Sequence, residues 1–270
     1  MNRWIELDGV VNMRDVGGLP TADGGRVQPQ RLIRSDNLQD LSPGDVEYLV
    51  HTVGVSDVVD LRTNLELHLS GDGPLRATLL RHHHHSFYPE TLGEGARPAD
   101  DPAQDSTARE LEVLFSTTGA PEVPRADADY WSQHYRRYLA LRPDSVVAAL
   151  RVIADAPGAT IVHCAAGKDR TGTVIGLALA VAGVNRDVIV EDYVLTSERL
   201  EQIMRRLVDV DPYRWTLAGQ QLSDQEPRAE SMATLLQVVD DEFGGAAGWL
   251  RAQGWSAQDV DRLRAKLRAE

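Results

Sequence analysis

The stretch Thr160-Ile161-Val162-His163-Cys164-Ala165-Ala166-Gly167-Lys168-Asp169-Arg170-Thr171-Gly172 decides how this chain is read. Thr160 to His163 is a short, largely β-branched run of the kind found in buried strands. A seven-residue segment from Cys164 to Arg170 follows, and a helix is expected over 170–183. Where a strand turns into a helix through such a loop, consecutive backbone N–H groups point inward, and the first N–H groups of the helix lack partners. The result is an anion trap. Gly167 and Gly172 let backbone pass close to a ligand and to a neighbouring helix. Arg170 adds a planar fork matched to two phosphoryl oxygens. The candidate phosphate-binding residues are therefore Ala165, Ala166, Gly167, Lys168, Asp169 and Arg170.

Cys164 lies at the base of this positive bowl, where the field that holds an anion also favours a thiolate. The expected chemistry is in-line attack of the Cys164 sulfur on phosphorus, giving a cysteinyl-phosphate that water later cleaves. Arg170 and the loop amides would stabilise the equatorial oxygens. Thr171 would hydrogen-bond the departing sulfur, and His163 would fix the loop through its ring nitrogens. A carboxyl must protonate the leaving oxygen and then act as base on the water. Two candidates stay open. Asp169 would keep its proton beside a bound phosphate. Asp60, at the carboxyl end of a strand read over 55–61, lies where α/β sites gather; a structural pair with Arg62 or Arg14 is its bland reading. Asp169 is the preferred of the two.

Around this segment strands alternate with helices, which implies α/β layers around one sheet. Residues 31–35 read as a strand. Ser42-Pro43-Gly44-Asp45 opens a helix with a capping Ser, an early Pro and an acid in the first turn. Val46, Leu49, Val50 and Val53 continue it, and Gly54 stops it. A further strand is read over 79–85, and helices over 130–141, 144–154, 186–208, 228–242 and beyond Ser256. Residues 10–18 read as a polar turn. Residues 89–128 hold Pro89, Pro98, Pro102, Pro121 and Pro124, and read as an insertion, either a lid over Cys164 or a disordered loop. Within it only Ala108 to Ser116 shows a helical face, through Leu111, Leu114 and Phe115.

Of 270 residues, 28 are Lys or Arg and 41 Asp or Glu, giving a net charge of −13. Such a surface repels nucleic acid, so an anionic substrate must be drawn by a concentrated local site. No apolar run approaches the roughly 18 residues of a membrane span, and the N-terminus lacks a signal-peptide core. No integral membrane segment is expected; the default location is cytoplasmic, and signal-less secretion would leave no mark. The single cysteine excludes an intrachain disulfide and a thiolate-rich metal site.

Four further blocks stand in order around the loop: Asn12-Met13-Arg14-Asp15-Val16-Gly17-Gly18, Arg34-Ser35-Asp36, Asp60-Leu61-Arg62 with Glu66, and Asp192-Tyr193. With His163-Cys164-x5-Arg170-Thr171-Gly172 they resemble the protein-tyrosine phosphatase superfamily. The fuller string through Gly167-Lys168-Asp169 is similar to its bacterial branch of tyrosine and dual- or triple-specificity phosphatases, also called atypical lipid phosphatases. The resemblance spans roughly residues 10–70 and 130–200. It implies one phosphatase domain over 1–270 with a three-layer α/β fold, a central sheet with helices on both faces and a helical C-terminal part. It also implies no metal and no cofactor, and a phosphorylated protein or phosphoinositide as substrate: phosphotyrosine first, with phosphoserine, phosphothreonine and phosphoinositides as further candidates. Lys168 would suit a polyanionic headgroup.

Other signals carry less. His82-His83-His84-His85 is a possible metal binder, but alternate rings on a strand face opposite ways. Arg14 and Asp15 are expected to brace the loop. Tyr130, Trp131, Tyr135 and Tyr138 read as core packing at helical spacing, and Arg136 and Arg137 as a solvated face. The competing functions are a phosphoinositide-specific lipid phosphatase, a sulfur transferase of the rhodanese kind, and a non-catalytic phospho-ligand binder. The Arg170-Thr171 pair disfavours the second, and the presence of both Cys164 and Arg170 disfavours the third.

Overall fold

Successive side chains of a strand face opposite sides of its sheet, and this chain uses the alternation to build two apolar layers. The computed structural model describes residues 3–89 and 128–269. Its sheet contains β1 (Arg14–Asp15), β2 (Leu32–Ser35), β3 (Val55–Asp60), β4 (Arg81–His84) and β5 (Ala159–His163). The strand order is β1-β2-β5-β3-β4. β1 runs antiparallel to β2, and every other neighbouring pair is parallel. Leu32, Val59 and Val162 face one core, while Ile33, Val58 and Ile161 face the other.

Helices cover both faces. The first face packs against α3 (Ala128–Leu141), α4 (Pro143–Asp155), α5 (Asp169–Val181), α6 (Arg186–Val194), α9 (Ala229–Phe243), α10 (Ala246–Ala252) and α11 (Ala257–Leu267). Burial all round is what an Ala/Gly-rich apolar helix such as α5 requires. The second face packs against α1 (Pro43–Glu47), the π-helical turn Tyr48–Val53 and the short turn at Pro74–Ala77; α2 (Asn64–Ser70) follows β3. A third cluster joins α7 (Leu200–Leu207) and α8 (Tyr213–Thr216) to Ala165 through Ile203, Leu207 and Tyr213. No helix among the described residues is long and apolar enough to cross a membrane.

β5 lies in the middle of the sheet with all five residues buried. Ser35 of β2 and Asp60 of β3 both stand in register with His163. The Cys164 loop therefore leaves the sheet flanked by the carboxyl ends of two parallel strands, the place where α/β sheets present ligands. The capping Ser expected at position 42 is present, and Asp45 bonds back to complete a capping box; Gly54 ends the π-turn at φ 74°.

The elements differ from those expected of the sequence in three respects. Residues 14–15 form an edge strand instead of a polar turn. The helix expected over 186–208 is divided by a tighter turn, Leu195–Arg199, in which the buried Thr196 accepts from Arg14 Nη2 at 3.0 Å. α2, α8 and α10 are not anticipated by the sequence; each is under two turns and carries little periodicity. The insertion expected at 89–128, with its helical face at 108–116, lies outside the described residues apart from its two ends.

Candidate active site

The loop 164–170 is held from behind by charged groups that are almost fully buried. Asp192 on α6 receives Arg3 Nη1 at 2.6 Å, Arg34 Nη1 at 2.7 Å and Arg14 Nε at 3.4 Å. Burial pushes this carboxyl up, but Arg14, Arg34 and Arg3 outweigh it and hold Asp192 well below the usual carboxylate range. Two of the arginines reach on to the loop. Arg34 Nη2 donates to Gly167 O at 2.8 Å. Arg14 Nη1 donates to Asn12 Oδ1 at 2.6 Å, and Asn12 Nδ2 donates to Ala166 O at 2.8 Å. Asn37 N–H donates to Ala165 O at 2.9 Å. Gly167 has φ +66°, and a Cβ there would lie 2.4 Å from Ser35 O, so only glycine fits. Arg14 braces the loop as expected. Asp15 does not: it accepts from Gly17 N–H and Gln30 N–H in a separate turn.

Arg170 is fixed by a twofold bond to Glu66, at 2.6 and 2.8 Å. Glu66 is itself the capping acid of α2, bonded to Thr63 N–H at 2.7 Å. The guanidinium also lies 5.6 Å from the Tyr88 ring centroid. Cys164 is buried, 2% exposed. His163 Nδ1 faces Cys164 O at 3.3 Å and Nε2 faces Asp60 Oδ2 at 3.6 Å. Burial pushes this ring down to about 4 in spite of Asp60, so it is neutral at pH 7. Arg62 is then the charge that grips Asp60, through three side-chain contacts between 2.6 and 3.1 Å. Burial alone would raise Asp60; the surrounding groups outweigh it and hold it below the carboxylate range. Thr171 Oγ1 is buried without a partner among the described residues, so its expected bond to the sulfur is not made here.

Asp169 opens α5 and keeps 19% exposure. Its Oδ1 accepts from Tyr135 Oη at 2.6 Å, and Tyr135 Oη meets Tyr193 Oη at 2.5 Å. Lys168 is 1% exposed. Its Nζ donates to Gln225 O at 2.6 Å, lies 3.7 Å from Asp169 Oδ1, and stands 4.5 Å over the Trp131 ring. Tyr135 and Tyr138 are buried as core packing predicts, yet their hydroxyls belong to the site: Tyr88 Oη meets His134 Nε2 at 2.9 Å and Tyr138 Oη at 3.1 Å. Spacing along a helix reports a buried face but is silent about hydroxyls, and nothing in the sequence pointed to Gln225 or Tyr88. The three histidines of β4 bond three separate acceptors, Leu75 O, Asp57 and Arg62 O, and no metal-holding group of His, Cys, Asp and Glu occurs among the described residues.

The tyrosine phosphatase family pattern matches residues 5–269. The chain belongs to that family. It is a cysteine-dependent phosphatase. A relative from Mycobacterium tuberculosis, the triple specificity protein phosphatase PtpB, is 31% identical over 97% of this chain and 98% of its own length. A tyrosine-protein phosphatase from Nostoc commune is 34% identical over 43% of this chain and 42% of its own. The α/β sheet with helices on both faces is the fold that family membership implies.

Two outcomes follow for this phosphatase. Asp192→Ala would leave three arginines without their common carboxylate and is expected to cost about 3–5 kcal/mol in urea unfolding; a change under about 1 kcal/mol would contradict the bracing role. His134 and His163 are each pushed by burial from 6.5 down to about 4. Between those values the unfolded chain binds protons that the native protein refuses, so stability falls as pH drops through that window. Unfolding measured near pH 7.5 and near pH 5 should show this loss, and His134→Gln should show a smaller one; equal losses would contradict the assignment.

Proposed function

We propose that this protein hydrolyses phosphomonoesters through a cysteinyl-phosphate on Cys164, with phosphotyrosine as the principal substrate. The observation that carries the reading is the meeting of Cys164 and Arg170 in one loop, with the guanidinium aimed by Glu66 and the loop backbone held by Arg34 and Asn12. In the first step the Cys164 sulfur bonds to phosphorus as the ester P–O bond breaks, and a carboxyl gives its proton to the leaving oxygen. In the second, water attacks phosphorus, the same carboxylate takes the water proton, and sulfur departs as thiolate. Arg170 and the amides of residues 165–170 stabilise the equatorial oxygens in both. Thr171, with its hydroxyl uncommitted, is the group that can bond the departing sulfur. His163 holds the loop and transfers no proton in either step.

Asp169 is the acid and base in this scheme. Asp60 is the weaker candidate because both of its oxygens are committed to the Arg62 guanidinium. Phosphoserine, phosphothreonine and phosphoinositides are the further candidate substrates, and the relative whose name carries triple specificity supports a range wider than phosphotyrosine alone.

Cys164→Ser should reduce hydrolysis of an aryl phosphate to the uncatalysed background; rates comparable with the native enzyme would contradict the intermediate. Asp169→Asn should lose about 100-fold or more on phenyl phosphate and far less on an activated nitrophenyl ester. If Asp60→Asn shows that pattern and Asp169→Asn does not, the acid is Asp60. Comparing kcat/KM on phosphotyrosine peptide, phosphoserine peptide and phosphatidylinositol monophosphates ranks the substrates, with phosphotyrosine expected first.

A further inference from the structure

A carboxyl that serves as acid and then as base has two oxygens, and only one of them can face the reacting atoms. Around Asp169 the two oxygens are treated differently. Oδ1 accepts from Tyr135 Oη at 2.6 Å and faces Lys168 Nζ at 3.7 Å. Oδ2 is bonded to no described residue, and the side chain keeps 19% exposure. Tyr135 has one hydroxyl hydrogen and spends it on Asp169, so the 2.5 Å contact with Tyr193 is completed by the Tyr193 hydrogen. The chain of donation therefore runs from Tyr193 to Tyr135 to Asp169. Both tyrosines are buried, 0% and 2% exposed. Burial and the neighbouring Asp169 raise both hydroxyls above their ordinary value, so neither ionises near neutrality.

We propose that Tyr135, backed by Tyr193, is a positioning residue for catalysis: it claims Asp169 Oδ1 and so assigns Oδ2 as the oxygen that gives the proton to the leaving group and recovers one from water. Tyr135 keeps its own hydrogen throughout; the proton that moves is carried by Oδ2. The inference rests on the reading of Asp169 as acid and base. The placement has a structural logic. Tyr193 follows Asp192 directly, so α6 ties the rear of the loop to three arginines and the proton-carrying side chain to Tyr135 with adjacent residues. Tyr135 reaches the same carboxylate from α3, and no other hydroxyl among the described residues bonds it.

The test is the dependence of rate on leaving group. The ratio of kcat on nitrophenyl phosphate to kcat on phenyl phosphate would be measured for the native enzyme, Tyr135→Phe, Tyr193→Phe, Asp169→Asn and the double variants. Inhibition by vanadate serves as the check that the loop is intact. Tyr135→Phe should lower kcat on phenyl phosphate about tenfold, the scale of one hydrogen bond to a charged group, with little change in KM or in the nitrophenyl rate. Tyr193→Phe should produce a smaller shift in the same direction and add nothing to Tyr135→Phe. Neither substitution should matter once Asp169 is Asn. A Tyr135→Phe enzyme with the native ratio, or one whose loss persists in the Asp169→Asn background, overturns the inference. An unaltered ratio in Asp169→Asn itself overturns the reading beneath it, and so separates the two failures. Should Tyr135→Phe fail to fold, Tyr193→Phe against Asp169→Asn decides the question alone.

Discussion

Asp192 stands beneath Arg3, Arg14 and Arg34 with almost no access to water. Three cations around one carboxylate would repel one another if the carboxylate were absent, and the carboxylate would be costly to bury without them. Each group is therefore tolerable only in the presence of the others. The site inherits this constraint: Arg34 also holds Gly167 O, and Arg14 holds Asn12, which holds Ala166 O. The carbonyls of the loop are turned outward to these donors. Its N–H groups are left for an anion.

A second buried pair works on the opposite flank. Glu66 caps α2 and clasps Arg170, so the fork of Arg170 is aimed before any ligand arrives. Preorganised charge of this kind is most effective where water is excluded. Between the two flanks lies Cys164, at the end of the central strand. Asp60, although close to His163, belongs to neither device. Its carboxylate answers Arg62, whose Nη1 and Nη2 reach Ser70 and Gly71 at the end of α2. That arrangement fixes the helix that carries Glu66.

The strand–loop–helix around Cys164 was legible because each level of the sequence agreed: β-branched residues, a glycine at the left-handed turn, an arginine at the helix start. The flanking motifs were legible as blocks in order, but their division of labour was not. Arg14 and Asp15 are neighbours, yet one braces the loop and the other closes a turn. Lys168 reads as a cation for substrate, but its contacts with the Trp131 ring and with Gln225, 57 residues away, are not visible in the local sequence. Tyr135 read as core, and it is core; its hydroxyl is the part that periodicity does not report. Long-range partners of polar atoms depend on tertiary placement, which local spacing cannot encode. The helix break at Leu195–Arg199 is illegible for a related reason, since its Thr196 is bonded by Arg14, far away in the sequence.

The central claim is that phosphorus passes through Cys164. Rapid acid quenching during turnover of an aryl phosphate, followed by mass analysis of the peptide containing residues 160–170, tests it directly. The account predicts a phosphoryl adduct on Cys164 that appears within the first turnover and disappears as substrate is exhausted. Steady turnover with no adduct on that peptide, or an adduct on another residue, would contradict it.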